Sequence, residues 1–337
     1  MQKDHQAAIF EIIKRKINKE ESLGDALGEV LSLSQDAVYR RYRGETLLTI
    51  YELEKLCGHY GISLDALFEV SDRKVIFDFQ PLGNFNYSME GYLEAMAASF
   101  GQIKAQKDAE LMISVNNTHF LQLLNFPHLV RFKLFFWAKT YLQVKEYQGK
   151  QLTHQKNTEA TLTPGMKILK AYNSIPSKEL FDPELFRGFT REILYYFNAR
   201  LFEDPNYAIF LLDNLLAAVE HIKHQASVGK KFVYKTEPPA NGNDFEVYMN
   251  DTLNGITSTY YKTADHEGFY MAHNIMNTLY TTDKEYMSDS LKVLERQFEN
   301  SSMISGVNEK GRNNYFHSLE ASILKAKKQV ELELMED

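Results

Sequence analysis

The chain has one cysteine, Cys57, in 337 residues. That excludes an intrachain disulfide and any zinc module built on several thiolates, and it fits a reducing compartment such as the cytoplasm. No run reaches the eighteen or so apolar residues a membrane span needs, and the densest aromatic cluster, Phe132 to Trp137, is broken by Lys133. The opening Met-Gln-Lys-Asp-His is polar and leads into an amphipathic stretch, so no secretory signal is expected. Positive charge is also short. With 38 Lys and Arg against 45 Asp and Glu, the formal charge is −7. This balance speaks against nonspecific coating of nucleic acid and leaves room for a small local DNA-binding surface on an acidic body. No Gly-x-Ser-x-Gly elbow, phosphate-binding loop or glycine-rich dinucleotide fingerprint occurs, and there is no internal repeat or low-complexity tract. What is present is the balance of a globular protein, 44% apolar and 25% charged, at a length that suits two domains.

The first seventy residues read as short helices. Ile9, Phe10, Ile13 and Ile17 recur at helical spacing and predict a helix from Lys3 to Asn18. Ser22 is positioned to cap a second helix carrying Leu23, Leu27, Val30 and Leu31. Ser34 is positioned to cap a third, from Gln35 to Arg43, stopped by Gly44. A fourth carries Ile50, Leu53, Leu56 and Cys57 on one face and breaks at Gly61; Ser63 opens a fifth with Leu64, Leu67 and Phe68. Within this block Leu27 and Leu31 stand one turn apart, and Gly28 is placed where two helices are expected to cross most closely. Leu33 closes the turn and Val38 anchors the next helix.

From Ser22 to Phe68 this pattern resembles the Cro/repressor-like (Xre-type) helix-turn-helix family. The resemblance includes Ser34-Gln35 at the start of the recognition helix, Arg43-Gly44-Glu45 at its end, and the closing Gly61-Ile62-Ser63-Leu64-Asp65-Ala66-Leu67-Phe68. It covers about a fifth of the chain. Two positions depart from the family pattern. Ser32 stands where the turn usually has glycine, at a cost of up to roughly 1 kcal/mol if that backbone is left-handed. Arg41 replaces the second apolar anchor of the recognition helix, with Tyr42 expected to turn inward while Arg41 reaches out to solvent.

The resemblance implies double-stranded DNA as partner. A recognition helix in the major groove would turn Gln35, Tyr39 and Arg40 to base edges, with Gln35 suited to adenine and Arg40 to guanine. Ser34 and Arg43 would meet phosphate. Asp36 has two readings, acceptor from a cytosine amino group or complement to the helix N-terminus; the second is preferred. Residues 1–68 hold 9 Lys and Arg against 11 Asp and Glu, which favours a bundle that only packs against protein, whereas Arg40, Arg41 and Arg43 gather positive charge on one helix.

Past residue 72 the chemistry thins out. Ser71-Asp72-Arg73-Lys74 marks a boundary, and Val75, Phe77 and Phe79 alternate as a strand would before Pro81 and Gly83. Asp182-Pro183, Asp204-Pro205 and Thr282 with Glu285 look like helix starts. Gln148 to Thr163 reads as a loop. Phe232-Val233-Tyr234, Phe245 to Tyr248, Thr257 to Tyr261 and Gly268 to Met271 read as strands of an antiparallel meander. His221 and His224 share a helical face, half of a metal site at most, and a solvated or capping role is preferred. Six of the 43 aromatics lie in residues 1–68, so 37 fall in the other 269. They form a bulky core, a pocket or a dimer face, and helical spacing does not separate these.

The expectation is a mainly α protein. A five-helix lambda-repressor-like helix-turn-helix domain spans 1–70 and a linker with a strand 71–87. A larger α+β, mostly helical domain with a small antiparallel sheet spans 88–337. The function expected is a cytoplasmic, sequence-specific transcription regulator that works as a homodimer, its C-terminal domain serving either to sense an effector or to dimerise; the sequence does not say whether a small-molecule effector exists. No catalytic residue, cofactor, metal or membrane is expected. Two alternatives stay open: an adaptor that uses the N-terminal bundle to bind protein, and an enzyme with an appended DNA-binding domain.

Overall fold

The computed structural model describes residues 5–17, 21–64, 75–79, 89–154, 159–252, 255–274 and 277–336. Its contacts divide the chain into two units, Met1–Ile76 and Phe77–Asp337.

In the first unit four helices follow the expected order: α1 (His5–Lys16), α2 (Leu23–Leu31), α3 (Gln35–Tyr42) and α4 (Ile50–Tyr60). Ser22 and Ser34 cap α2 and α3 by accepting from the amides of Asp25 and Ala37. Thr49 and Glu52 form a reciprocal capping box on α4, which ends at left-handed Gly61. Ile9, Phe10, Ile13, Leu27, Leu31, Val38 and Leu56 make a separate small core. Ile50 was expected on the apolar face but is 81% exposed, together with Leu47 and Tyr51; it sits at the first position of α4, ahead of the turn that holds Leu56. The expected fifth helix lies outside the described residues beyond Leu64.

The second unit is organised by a mixed seven-stranded sheet of order β6-β5-β4-β1-β2-β3-β7, where the sequence suggested a small antiparallel one. The strands are β1 (Glu110–Val115), β2 (Ser177–Phe181), β3 (Phe245–Met249), β4 (Ser258–Lys262), β5 (Glu267–His273), β6 (Asn277–Thr281) and β7 (Ser302–Met303). β1, β2 and β3 are parallel neighbours in register Leu111↔Ser177↔Phe245, and β4 pairs antiparallel with β1 through Leu111↔Tyr261. Strands covered on both faces need not alternate apolar and polar residues, which is why β1 and β2 leave little signature.

Helices α5 (Met89–Lys104), α6 (Phe120–Leu123), α7 (Pro127–Phe136), α8 (Glu159–Asn173), α9 (Arg187–Asn198) and α10 (Tyr207–Val228) share the main core with Leu111, Ile113, Val115, Phe181, Phe245 and Val247 of the sheet. The alternate residues Met112, Leu180, Tyr248, Tyr260 and Phe269 pack with Met287, Leu294 and Phe298 of α11 (Lys284–Glu299). The last helix, α12 (Glu309–Glu336), lies along α10 and α9.

Several local expectations give way. Phe232-Val233-Tyr234 forms no strand, because the Phe232 carbonyl is taken by the side chains of His221 and Gln225. Asp182-Pro183 does not open a helix. Asp182 closes a turn on the Glu184 amide, and α9 begins after left-handed Phe186 with the Asn117 side chain accepting from Gly188. Asp204 likewise turns onto Asn206, one residue ahead of α10. Asp283, not Thr282, caps α11. The segment read as a loop holds the first turn of α8. The strand expected at 75–79 is a single bridge among the described residues: Asp78 and Tyr280 exchange two backbone hydrogen bonds of 2.7 and 2.9 Å.

The aromatic patch Phe132 to Trp137 is core, whereas of the adjacent tyrosines Tyr195 and Tyr196 the second is buried and the first exposed. Phe132 is fully buried against Phe136, Phe189, Tyr196 and Phe202. At Gly268 of β5 a Cβ would lie 2.5 Å from the Tyr261 ring and 2.7 Å from that of Tyr280. Glycine here lets two tyrosines from flanking strands close over the middle one and bond hydroxyl to hydroxyl at 2.9 Å.

Candidate nucleic-acid interface

Between α2 and α3 the chain turns through Ser32, at φ 57° and ψ 46°. The Leu33 amide then bonds back to the Gly28 carbonyl at 3.0 Å. Ser32 therefore occupies the left-handed conformation that glycine would take with less strain. The two helices meet most closely at Gly24, not Gly28: a Cβ on Gly24 would lie 3.0 Å from the Tyr39 ring and 3.2 Å from Gln35 Cβ, whereas one on Gly28 would meet the Leu33 carbonyl.

This seating decides which side chains of α3 face outward. Val38 is buried; Ser34, Gln35, Asp36, Arg40 and Arg43 are exposed, and Tyr39 is half-buried with its ring edge over Gly24. Tyr42 turns inward as expected, edge-on to Phe10. Arg41 does not reach into solvent. It forms a two-pronged pair with Glu52 at 2.7 and 3.2 Å and donates to the Ala37 carbonyl, tying α3 to the start of α4.

Each outward donor already has an acid. The Gln35 amide donates to Asp25, Arg40 Nε lies 3.1 Å from Asp36 one turn back, and Arg43 grips Glu45 through Nε at 2.5 Å and Nη2 at 3.1 Å. The hydrogen bond from Arg43 holds the Glu45 carboxyl below its usual range, and those from Ser22 and Gln35 do the same for Asp25. Ser34 uses its oxygen as a cap. Cys57 is half-buried, and burial pushes its thiol up, away from reactivity.

The larger unit holds the ionisable cluster that sequence reading missed. Glu179 in the middle of β2 is fully buried. Its Oε2 lies 2.5 Å from His119 Nε2, and its Oε1 accepts from Tyr172 at 2.6 Å and Ser177 at 2.8 Å. Lys231 donates to Ser177 at 2.7 Å with its ammonium 3.9 Å from the centre of the Tyr172 ring. Burial drives Lys231 down to about 7 against the pull of Glu179. Burial alone would raise Glu179, but His119, Lys231 and Tyr172 outweigh it and hold the group below its usual range. Every member of the cluster is at most 4% exposed, and its hydrogen bonds tie β2 to the helices and the Lys231 segment around it.

His221 is buried rather than solvated, bonded to the Phe232 carbonyl, and burial lowers it to about 4. His224 packs its ring against Phe232. Among the described residues no group of three His, Cys, Asp or Glu could hold a metal, and no helix is long and apolar enough to cross a membrane. Comparison with family models, curated proteins and solved structures found no match.

Proposed function

We propose that the protein is a transcription regulator whose N-terminal unit lays α3 in the major groove of DNA, with Gln35 and Arg40 toward base edges and Ser34 and Arg43 toward phosphate. The observation that carries this reading is the seating of α3 on α2 at Gly24 and Val38. It leaves an amide and two guanidiniums exposed along one short helix, the chemistry that reads adenine, guanine and phosphate. Tyr39, half-buried over Gly24, would touch a base only with its outer edge.

A regulator of this kind reads two half-sites as a symmetric dimer. Since the aromatic patch Phe132 to Trp137 is core, support for pairing rests on apolar residues still exposed, among them Leu324, Leu332 and Met335 of α12. The larger unit would sense an effector or hold the dimer. Selection from a random duplex pool tests the whole reading: an inverted repeat should be recovered. Arg40→Ala should lose about 1–3 kcal/mol and relax one base position, and Arg43→Ala should weaken all sequences alike. Equal, sequence-independent losses from both would mean that α3 is docked in another rotation. Sedimentation of the full chain at micromolar concentration should show a dimer.

A second reading is favoured by one specific feature. Leu47, Ile50 and Tyr51 are each more than three-quarters exposed beside α3, the kind of surface an adaptor would offer a protein partner. Replacing Ile50 and Tyr51 by serine should leave binding to the pool intact if the unit reads DNA.

A further inference from the structure

The exposed donors of α3 are already engaged within the unit itself. Gln35 is held by Asp25, Arg40 by Asp36 and Arg43 by Glu45, and all six side chains lie at the surface. We infer that Asp36 and Glu45 are partner-exchange carboxylates: they hold Arg40 and Arg43 in the free protein and must be displaced before those guanidiniums reach guanine or phosphate. This rests on the DNA reading above and goes beyond it, because it assigns to Asp36 and Glu45 a function that neither base readout nor helix capping supplies.

The physical argument has two parts. An exposed ion pair is weak, so a phosphate can take the guanidinium from its carboxylate. The displaced carboxylate then remains beside a polyanion, at Asp36 on the first turn of α3 and at Glu45 just past its end, and it repels every duplex alike. The penalty lowers affinity for all sequences without favouring any. A single unit therefore binds nonspecific DNA poorly, and occupancy depends on two units acting together at paired half-sites. The same geometry explains how a unit with more acidic than basic residues can carry a DNA surface: two of its acids are counter-charges on the reading helix.

The test is a titration of the full chain at about 0.1 M salt against two probes, a random-sequence duplex pool and a duplex recovered from that pool with the unaltered protein. Asp36→Asn and Glu45→Gln should each tighten binding to both probes by roughly threefold or more, leaving the ratio between them unchanged. In an Arg40→Ala background the gain from Asp36→Asn should shrink, since there is no longer a guanidinium to release. Tightening of undiminished size in that background would mean that Asp36 acts by repulsion alone and overturns partner exchange. Weaker binding of Asp36→Asn to the recovered duplex would mean that Asp36 reads a base directly, which also overturns it. If the unaltered chain binds and both variants bind no tighter, this inference fails while the DNA reading stands; if no form of the chain retains the pool, the DNA reading itself fails.

Discussion

Two sets of acid–base groups, one on α3 of the N-terminal unit and one under the sheet of the larger unit, follow opposite rules. On the N-terminal unit Arg40–Asp36 and Arg43–Glu45 are half or more exposed. In the larger unit Glu179, His119 and Lys231 lie under Tyr172 with almost no solvent contact. A surface pair costs little to break and can trade its partner for a ligand. A buried set loses several kcal/mol if one member is removed, because the others stay behind without solvation. The larger unit's cluster has perturbed groups of the kind that often mark an active site, and its members are enclosed among strands and helices. The surface pairs on α3 are among those a ligand could reach.

The sharpest way to break that comparison is Glu179→Ala. It strands Lys231, His119 and the Tyr172 hydroxyl together and should cost the larger unit about 3–5 kcal/mol, read as a fall in the denaturation midpoint of the full chain. The pH profile sharpens the same point. Lys231 titrates near 7 in the folded protein and near 10.4 unfolded, so between those values the unfolded chain carries a proton the folded one lacks. Raising the pH from 7 to 9 therefore favours folding, and the thermal midpoint should climb in that window. The climb should flatten in Lys231→Met.

Gly268→Val comes next. Its side chain would drive into the Tyr261 and Tyr280 rings, at an expected cost of about 1–3 kcal/mol by denaturant titration. In the N-terminal unit Ser32→Gly should act in the other direction, stabilising it by up to about 1 kcal/mol by relieving the left-handed serine. The smallest effect belongs to Asp36→Asn, which should leave the unfolding midpoint in place. A clear loss there would mean that the exposed pair holds structure and would erase the distinction between the two units.

Legibility followed the range of the interactions. In the N-terminal unit Ser22 and Ser34 act within one helical turn, so caps and core positions could be read from spacing. What escaped there was the closest approach at Gly24 and the pairing of Arg41 with Glu52, which joins residues eleven apart across two helices. In the larger unit the antiparallel strands β4 and β5 announced themselves by turns and aromatics. β1 and β2 did not, because a strand buried on both faces shows no alternation, and a carboxylate in the middle of β2 argues against a strand until His119, 60 residues away, is seen beside it. Asp182 and Asp204 were misjudged because an Asp-Pro pair serves a turn as readily as a helix start. That Gln35, Arg40 and Arg43 face outward could be read from helical spacing; their carboxylate partners could not, since that depends on which way each side chain bends.

The central place of β1 has a consequence for how the chain comes into being. Asn116, at the end of β1, donates to Thr257, 141 residues further on, and Tyr315 donates back to the Asp182 carbonyl across 133 residues. Contacts of such separation close slowly and only after the distant partner exists. In the N-terminal unit the bonds from Lys16 to the Tyr60 and Gly61 carbonyls span only 44 and 45 residues. On a ribosome adding about 5–20 residues per second, that unit can be complete roughly ten to fifty seconds before the last helix emerges. For that interval the small core of Ile9, Phe10, Leu27, Val38 and Leu56 has all its residues while the sheet still waits for its last strands.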